Sequence, residues 1–112
     1  TFRRGGGVGP AYPSIVASGA NATILHYIDN DRALGDGDLL LIDAGAEYGY
    51  YCADITRTYP VGRSFSGPQR ALFDVVLEAQ EAAIESIAPG VAIDDVHAAA
   101  LRVLVRGLVD HG

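Results

Sequence analysis

The sequence predicts an α+β fold with a mainly antiparallel sheet, and three observations carry that prediction. Leu39 to Pro60, written LLLIDAGAEYGYYCADITRTYP, pairs a branched apolar run with a second run rich in Tyr, Ile and Thr. A turn signal around Glu47-Tyr48-Gly49 separates them, which is the pattern of a β-hairpin. Two segments with helical spacing follow, Pro68 to Ala88 and Asp94 or Asp95 to about Val109. All strand signals precede both helices, with no internal repeat, low-complexity tract or linker, and 112 residues suit one domain with a modest core.

Taken in order, Thr1 to Pro10 (TFRRGGGVGP) has neither helical nor strand period and reads as a loop with solvated Arg3 and Arg4. Its glycines do not form a dinucleotide fingerprint, because the third position is Pro10 and no strand precedes them. Ser14 to Ser18 is a short strand candidate, Gly19-Ala20-Asn21 a turn, and the alternating Thr23 to Ile28 (TILHYI) the next strand. His26 lies within it; by itself, a lone His in a strand is more often a core residue with its hydrogen bonds satisfied. Asp29 to Asp38 is a polar turn feeding the hairpin, since the spacing of a calcium loop is absent.

The hairpin carries two carboxylates, and Asp is a poor strand former that is rarely buried unpaired. With Tyr48-Gly49 as turn residues, Asp43 and Asp54 are directly opposite, with Cβ atoms about 4.5–5.5 Å apart. With Gly49-Tyr50 they become diagonal neighbours, still on one face. Two like charges this close need a shared proton, a basic partner or a metal. Structural readings stand beside the metal reading: Asp43 capping a bend before Ala44-Gly45, or Asp54 paired with Arg57. Paired carboxylates suit hard or borderline cations, but two ligands cannot enclose an ion.

After the hairpin, Ser66 offers an N-cap and Pro68 a first-turn proline. Leu72, Val76, Ala79, Ala83 and Ile87 recur at helical steps, Glu78, Glu81 and Glu85 fall on the other face, and Pro89-Gly90 ends the helix. The second helix has Asp94 or Asp95 as its cap and Val96, Ala99, Ala100, Val103 and Leu104 as its inner stripe. Gly107 marks close packing there, at some cost in helix stability. His97 and His111 have no ligand partner three or four residues away and read as surface or structural groups.

The strings Asp43-Ala44-Gly45-Ala46-Glu47-Tyr48 and Asp54-Ile55-Thr56-Arg57-Thr58 resemble the paired Asp motifs of the pita-bread metallopeptidases (creatinase/aminopeptidase-like). Within that family they are most similar to Xaa-Pro aminopeptidases and Xaa-Pro dipeptidases (prolidases). Leu25-His26-Tyr27, the DGD lead at residues 36–38 and the join between the helices extend the resemblance over essentially the whole chain. It implies that residues 1–112 are the first half of a pseudo-symmetric catalytic domain. Asp43 and Asp54 would be the first two of five ligands to a dinuclear centre, Asp54 bridging; manganese is the usual metal, with zinc or cobalt as alternatives. The resemblance also turns His26 into a substrate-binding or proton-transfer group; Thr56, which shares the Asp54 face of its strand, is weaker support behind the ligands. The family's remaining ligands, a His and two Glu, would lie beyond residue 112, so the chain alone is expected to be inactive. The implied reaction is hydrolysis of the Xaa-Pro bond at the N-terminus of a proline-containing peptide, by a protein that is a homo-oligomer at full length. The alternatives are a dipeptidase or a non-catalytic peptide- or protein-binding domain of the same fold; a metal-free member acting on small amidines is disfavoured by the intact Asp pair.

Composition sets the remaining expectations. The chain is 49% hydrophobic and 20% charged with a net charge of −6, and its eight basic residues are all Arg. That balance argues against a nucleic-acid surface. The single cysteine, Cys52, excludes an internal disulfide and reads as a neutral strand residue rather than a ligand. With no long apolar run and no signal-like start, the expectation is a cytoplasmic protein that does not enter membranes.

Overall fold

Leu39 to Pro60 forms the hairpin in two stretches of ladder. The computed structural model describes residues 1–112 and places the hairpin in the first of two units, Thr1–Ser64 and Phe65–Gly112. Strands β3 (Leu39–Asp43) and β6 (Thr56–Pro60) form its base, and β4 (Ala46–Tyr48) and β5 (Tyr51–Cys52) its tip. Tyr48 faces Tyr51 across the turn. Gly49 and Tyr50 both have positive φ, 55° and 69°, the left-handed backbone of a type I′ turn, whose twist matches that of the strands. Of the two registers open from the sequence, this is the Gly49-Tyr50 one: Asp43 faces Thr56, and Asp54 is its diagonal neighbour.

Between tip and base the ladder opens at residues 44–45 and 53–55. Two backbone bonds keep the register there, Ala44 N–H to the Ile55 carbonyl at 3.1 Å and Ala53 N–H to the Ala46 carbonyl at 3.0 Å. A Cβ on Gly45 would overlap the Ala53 carbonyl. The glycine of the first Asp motif is therefore what lets the arms close at this point.

A third strand runs beside the first arm. It consists of β1 (Gly9–Pro10), paired with β4, and β2 (Ile15–Ser18), paired with β3. The glycine-rich start, expected to be a loop, is thus a short 3₁₀ turn at Phe2–Gly5 leading into this strand. Its isolated glycines hide a period that only the pairing reveals. The register slips by two residues along the strand: Pro10 to Ile15 spans the distance from Ala46 to Asp43 on the hairpin. The surplus forms a bulge containing Tyr12 and Pro13, and Pro13 has no N–H to leave unpaired.

The expected strand Thr23 to Ile28 is absent. A 3₁₀ turn occupies Gly19–Thr23, and the following residues are loop, with His26 at φ 57° and Asn30 at φ 54°. Alternation alone misled here, because the partner edge is taken by side chains. The Asn30 carboxamide accepts from Val16 N–H (2.7 Å) and donates to the Ser14 carbonyl (2.9 Å), and Arg32 donates to the Ser18 carbonyl (2.9 Å). These bonds cover the outer edge of β2.

The second unit is a pair of helices, α1 (Gly67–Glu85) and α2 (Ile93–His111). Ser66 and Gln69 form a reciprocal capping box at the start of α1, with Pro68 in its first turn. The inner stripe of α1 is Val75 and Ala79 with Ala82 and Ala83; Leu72, Val76 and Ile87 face outward, contrary to the expected stripe. The expected stripe of α2 faces inward around buried Ala99. Gly107 leaves room for the inward-facing Val75: a Cβ there would sit 2.6 Å from the Val75 side chain. Ala92, not Asp94 or Asp95, is the N-cap of α2; both Asp residues lie in the first turn, where they complement the helix dipole.

Candidate metal centre

The break in the hairpin ladder brings Asp43 and Asp54 to one point, and the bulge in the neighbouring strand aims Tyr12 at both. The Tyr12 hydroxyl lies 2.5 Å from Asp43 Oδ1 and 3.1 Å from Asp54 Oδ1. A phenol has one proton to donate, so the shorter bond to Asp43 dominates and Asp54 shares what remains. The hydrogen bond to Asp43, then burial, then the bond to Asp54 push the Tyr12 phenol well above its ordinary range, so it stays a donor at any physiological pH.

These three side chains form one wall of a cleft of about 300 Å³, completed by Pro13, Ile15, Ile28 and His26. The sequence-predicted Asp43, Asp54 and His26 therefore share a single cavity. His26 reaches it from the exposed loop after the 3₁₀ turn rather than from a strand. Thr56 sits directly across from Asp43, but its hydroxyl bonds neither carboxylate. The Arg57 alternative does not occur: Arg57 pairs with Ile42, and its guanidinium donates to the Thr56 carbonyl at 2.8 Å. Cys52 is exposed opposite Glu47, outside the cleft.

The donor set fits a hard divalent cation in part. Two carboxylate oxygens converge within reach of one hydroxyl, which is oxygen chemistry of the right charge. No third His, Cys, Asp or Glu joins them in a cluster able to hold a metal. Tyr12 went unnoticed in the sequence. Nothing in the spacing of Ala11-Tyr12-Pro13 marks it, and only the need of two adjacent carboxylates for a donor could have prompted a search.

The whole chain, residues 1–112, matches the family described as "Metallopeptidase family M24". It is 54% identical over 103 residues to the Xaa-Pro aminopeptidase of Haemophilus influenzae, covering 92% of this chain and 24% of that protein. To the Xaa-Pro aminopeptidase of Escherichia coli it is 47% identical over 111 residues, covering 99% of this chain and 25% of the relative. Among solved structures, the Pseudomonas aeruginosa aminopeptidase PepP superposes with a TM-score of 0.95 at 54% identity, over 99% of this chain and 25% of that one. The chain spans about a quarter of the length of the curated relatives it matches.

Proposed function

We propose, because the chain belongs to metallopeptidase family M24, that it supplies part of the active site of an Xaa-Pro aminopeptidase. In this reading residues 1–112 are the first half of a pseudo-symmetric catalytic domain. Asp43 and Asp54 are two ligands of a pair of divalent ions, manganese in the first instance. The observation that carries this is the convergence of both Oδ1 atoms on one hydroxyl. When bound, the metals would supply Lewis acidity and a nucleophile at neutral pH.

The chain's own residues do the rest of what is assigned here. Asp43 and Asp54 hold negative charge in a fixed place, and Tyr12 orients both through its hydroxyl. His26, on the same cleft, offers an imidazole to the substrate backbone near the scissile bond. Thr56 contributes by packing beside Asp43, not by a hydrogen bond. The names of the relatives favour an aminopeptidase over a dipeptidase. The exposed thiol of Cys52 suits a reducing cytoplasm, and the full-length protein is read as a homo-oligomer.

The test is hydrolysis of an Xaa-Pro-Xaa tripeptide and an Xaa-Pro dipeptide by the manganese-loaded, full-length protein, alongside Asp54→Asn. The expected result is turnover of the tripeptide, reduced by more than about a hundredfold in the variant together with metal content. Full metal content in Asp54→Asn would remove Asp54 from the ligand set, and turnover of the dipeptide alone would move the assignment to a dipeptidase.

A further inference from the structure

The loop that carries His26 is held from behind. The Asn21 carboxamide donates to the Tyr27 hydroxyl at 2.9 Å, and that hydroxyl donates to Asp31 Oδ1 at 2.7 Å. Both capacities of the phenol are used, one accepted bond and one donated. The chain alternates around it: His26 and Ile28 line the cleft, while Tyr27 between them is tied to Asn21 and Asp31. His26 and Asn30 are both left-handed, at φ 57° and 54°. Such backbone costs of order 1–3 kcal/mol per residue and persists where the surroundings impose it. Asn30 is held by its two bonds to the β2 edge, and left-handed His26 adjoins Tyr27, which is held by the link between Asn21 and Asp31.

We infer that Tyr27, through its hydrogen bonds to Asn21 and Asp31, is the positioning residue for His26, holding the strained loop so that the imidazole meets the substrate in one orientation. The loop has no strand pairing, so side-chain bonds fix its course, those of Asn30 at its far end and those of Tyr27 next to His26. The partners lie on both sides of His26 in the sequence, so the link closes a ring of chain around it. Tyr27 does not touch the cleft, and it acts only by where it puts its neighbour. This inference rests on the role given to His26 above.

The experiment is a double-mutant cycle in the metal-loaded, full-length protein, measuring kcat and KM on an Xaa-Pro-Xaa peptide for His26→Ala, Tyr27→Phe and the double variant. Tyr27→Phe removes only the hydroxyl, so the ring's packing stays. The expected result is a fall in kcat/KM of roughly ten- to a hundredfold for Tyr27→Phe. The double variant should be no worse than His26→Ala, because a residue acting through His26 has nothing left to position. The His26 imidazole resonances should broaden or shift in Tyr27→Phe, while bound manganese is unchanged. Losses that multiply in the double variant, or a Tyr27→Phe enzyme with wild-type kinetics and imidazole signals, would overturn the inference. Wild-type activity in His26→Ala would instead sink the role of His26 itself and leave the loop's positioning to be judged by the resonances alone.

Discussion

Asp31 sets the ionisation of Tyr27 as well as its place. Its carboxylate, by hydrogen bond first, then burial and charge, raises the Tyr27 phenol above its ordinary value. A raised value means the folded state prefers the protonated phenol. Its contribution to stability is complete below the unfolded phenol value of about 10 and fades as pH rises through the folded value. Alkaline difference spectra should therefore show Tyr27 ionising above the ordinary phenol value of about 10, and Asp31→Asn should bring it back toward the ordinary range. At this scale the sequence was legible where chemistry is carried by residue type. Asp43 and Asp54 stood out because carboxylates in a strand are unusual, whereas His26 was marked only by the family resemblance of its LHY string; the structure puts all three on one cleft. Tyr12 and Tyr27 could not be picked out, since a tyrosine reads the same whether its hydroxyl meets solvent or two carboxylates.

The elements succeed or fail by their glycines and caps. Gly45→Ala forces a methyl against the Ala53 carbonyl at the point where the hairpin arms draw together. The expected outcome is loss of more than about 2 kcal/mol in urea unfolding and, on the ligand assignment proposed above, loss of divalent-metal binding by the full-length protein, because the arm that moves carries Asp54. Gly107→Ala should also destabilise, by about 1–3 kcal/mol, although alanine is the better helix former, because the methyl meets Val75 at 2.6 Å. Ser66→Ala removes one half of the capping box and should cost about 1 kcal/mol. Both helices and the hairpin were visible in the sequence because periodicity and capping are local. The three-stranded pairing was not, because β1 contains only Gly9 and Pro10 and its register depends on a bulge. The expected strand at Thr23 to Ile28 failed for a related reason. Its neighbour's free edge is satisfied by Asn30 and Arg32 side chains, which no periodicity encodes.

For the whole molecule, the notable property is how little apolar surface is covered. Only five hydrophobic residues are buried, and Leu72, Val76, Ile84, Leu101, Val105 and Leu108 are each roughly half exposed or more. All six lie on the two helices, and exposed apolar surface of this kind binds apolar probes. The chain studied alone should enhance the fluorescence of an apolar dye such as ANS, and Leu101→Asn with Val105→Asn should reduce the signal without loss of helicity. No helix is long and apolar enough to cross a membrane.

The bulge in the first strand has a consequence for the order of folding. Tyr12 comes to Asp43 across 31 residues of sequence and to Asp54 across 42, while the hairpin closes over a two-residue turn. Local closure is fast, and distant pairing waits for the loop entropy to be overcome. This ordering predicts that the two carboxylates come together with the hairpin and gain their shared proton donor only when the first strand docks. On the ligand assignment proposed above, divalent ions present during refolding would relieve the repulsion between them early, so the refolding rate should rise with manganese concentration and lose that dependence in Asp54→Asn.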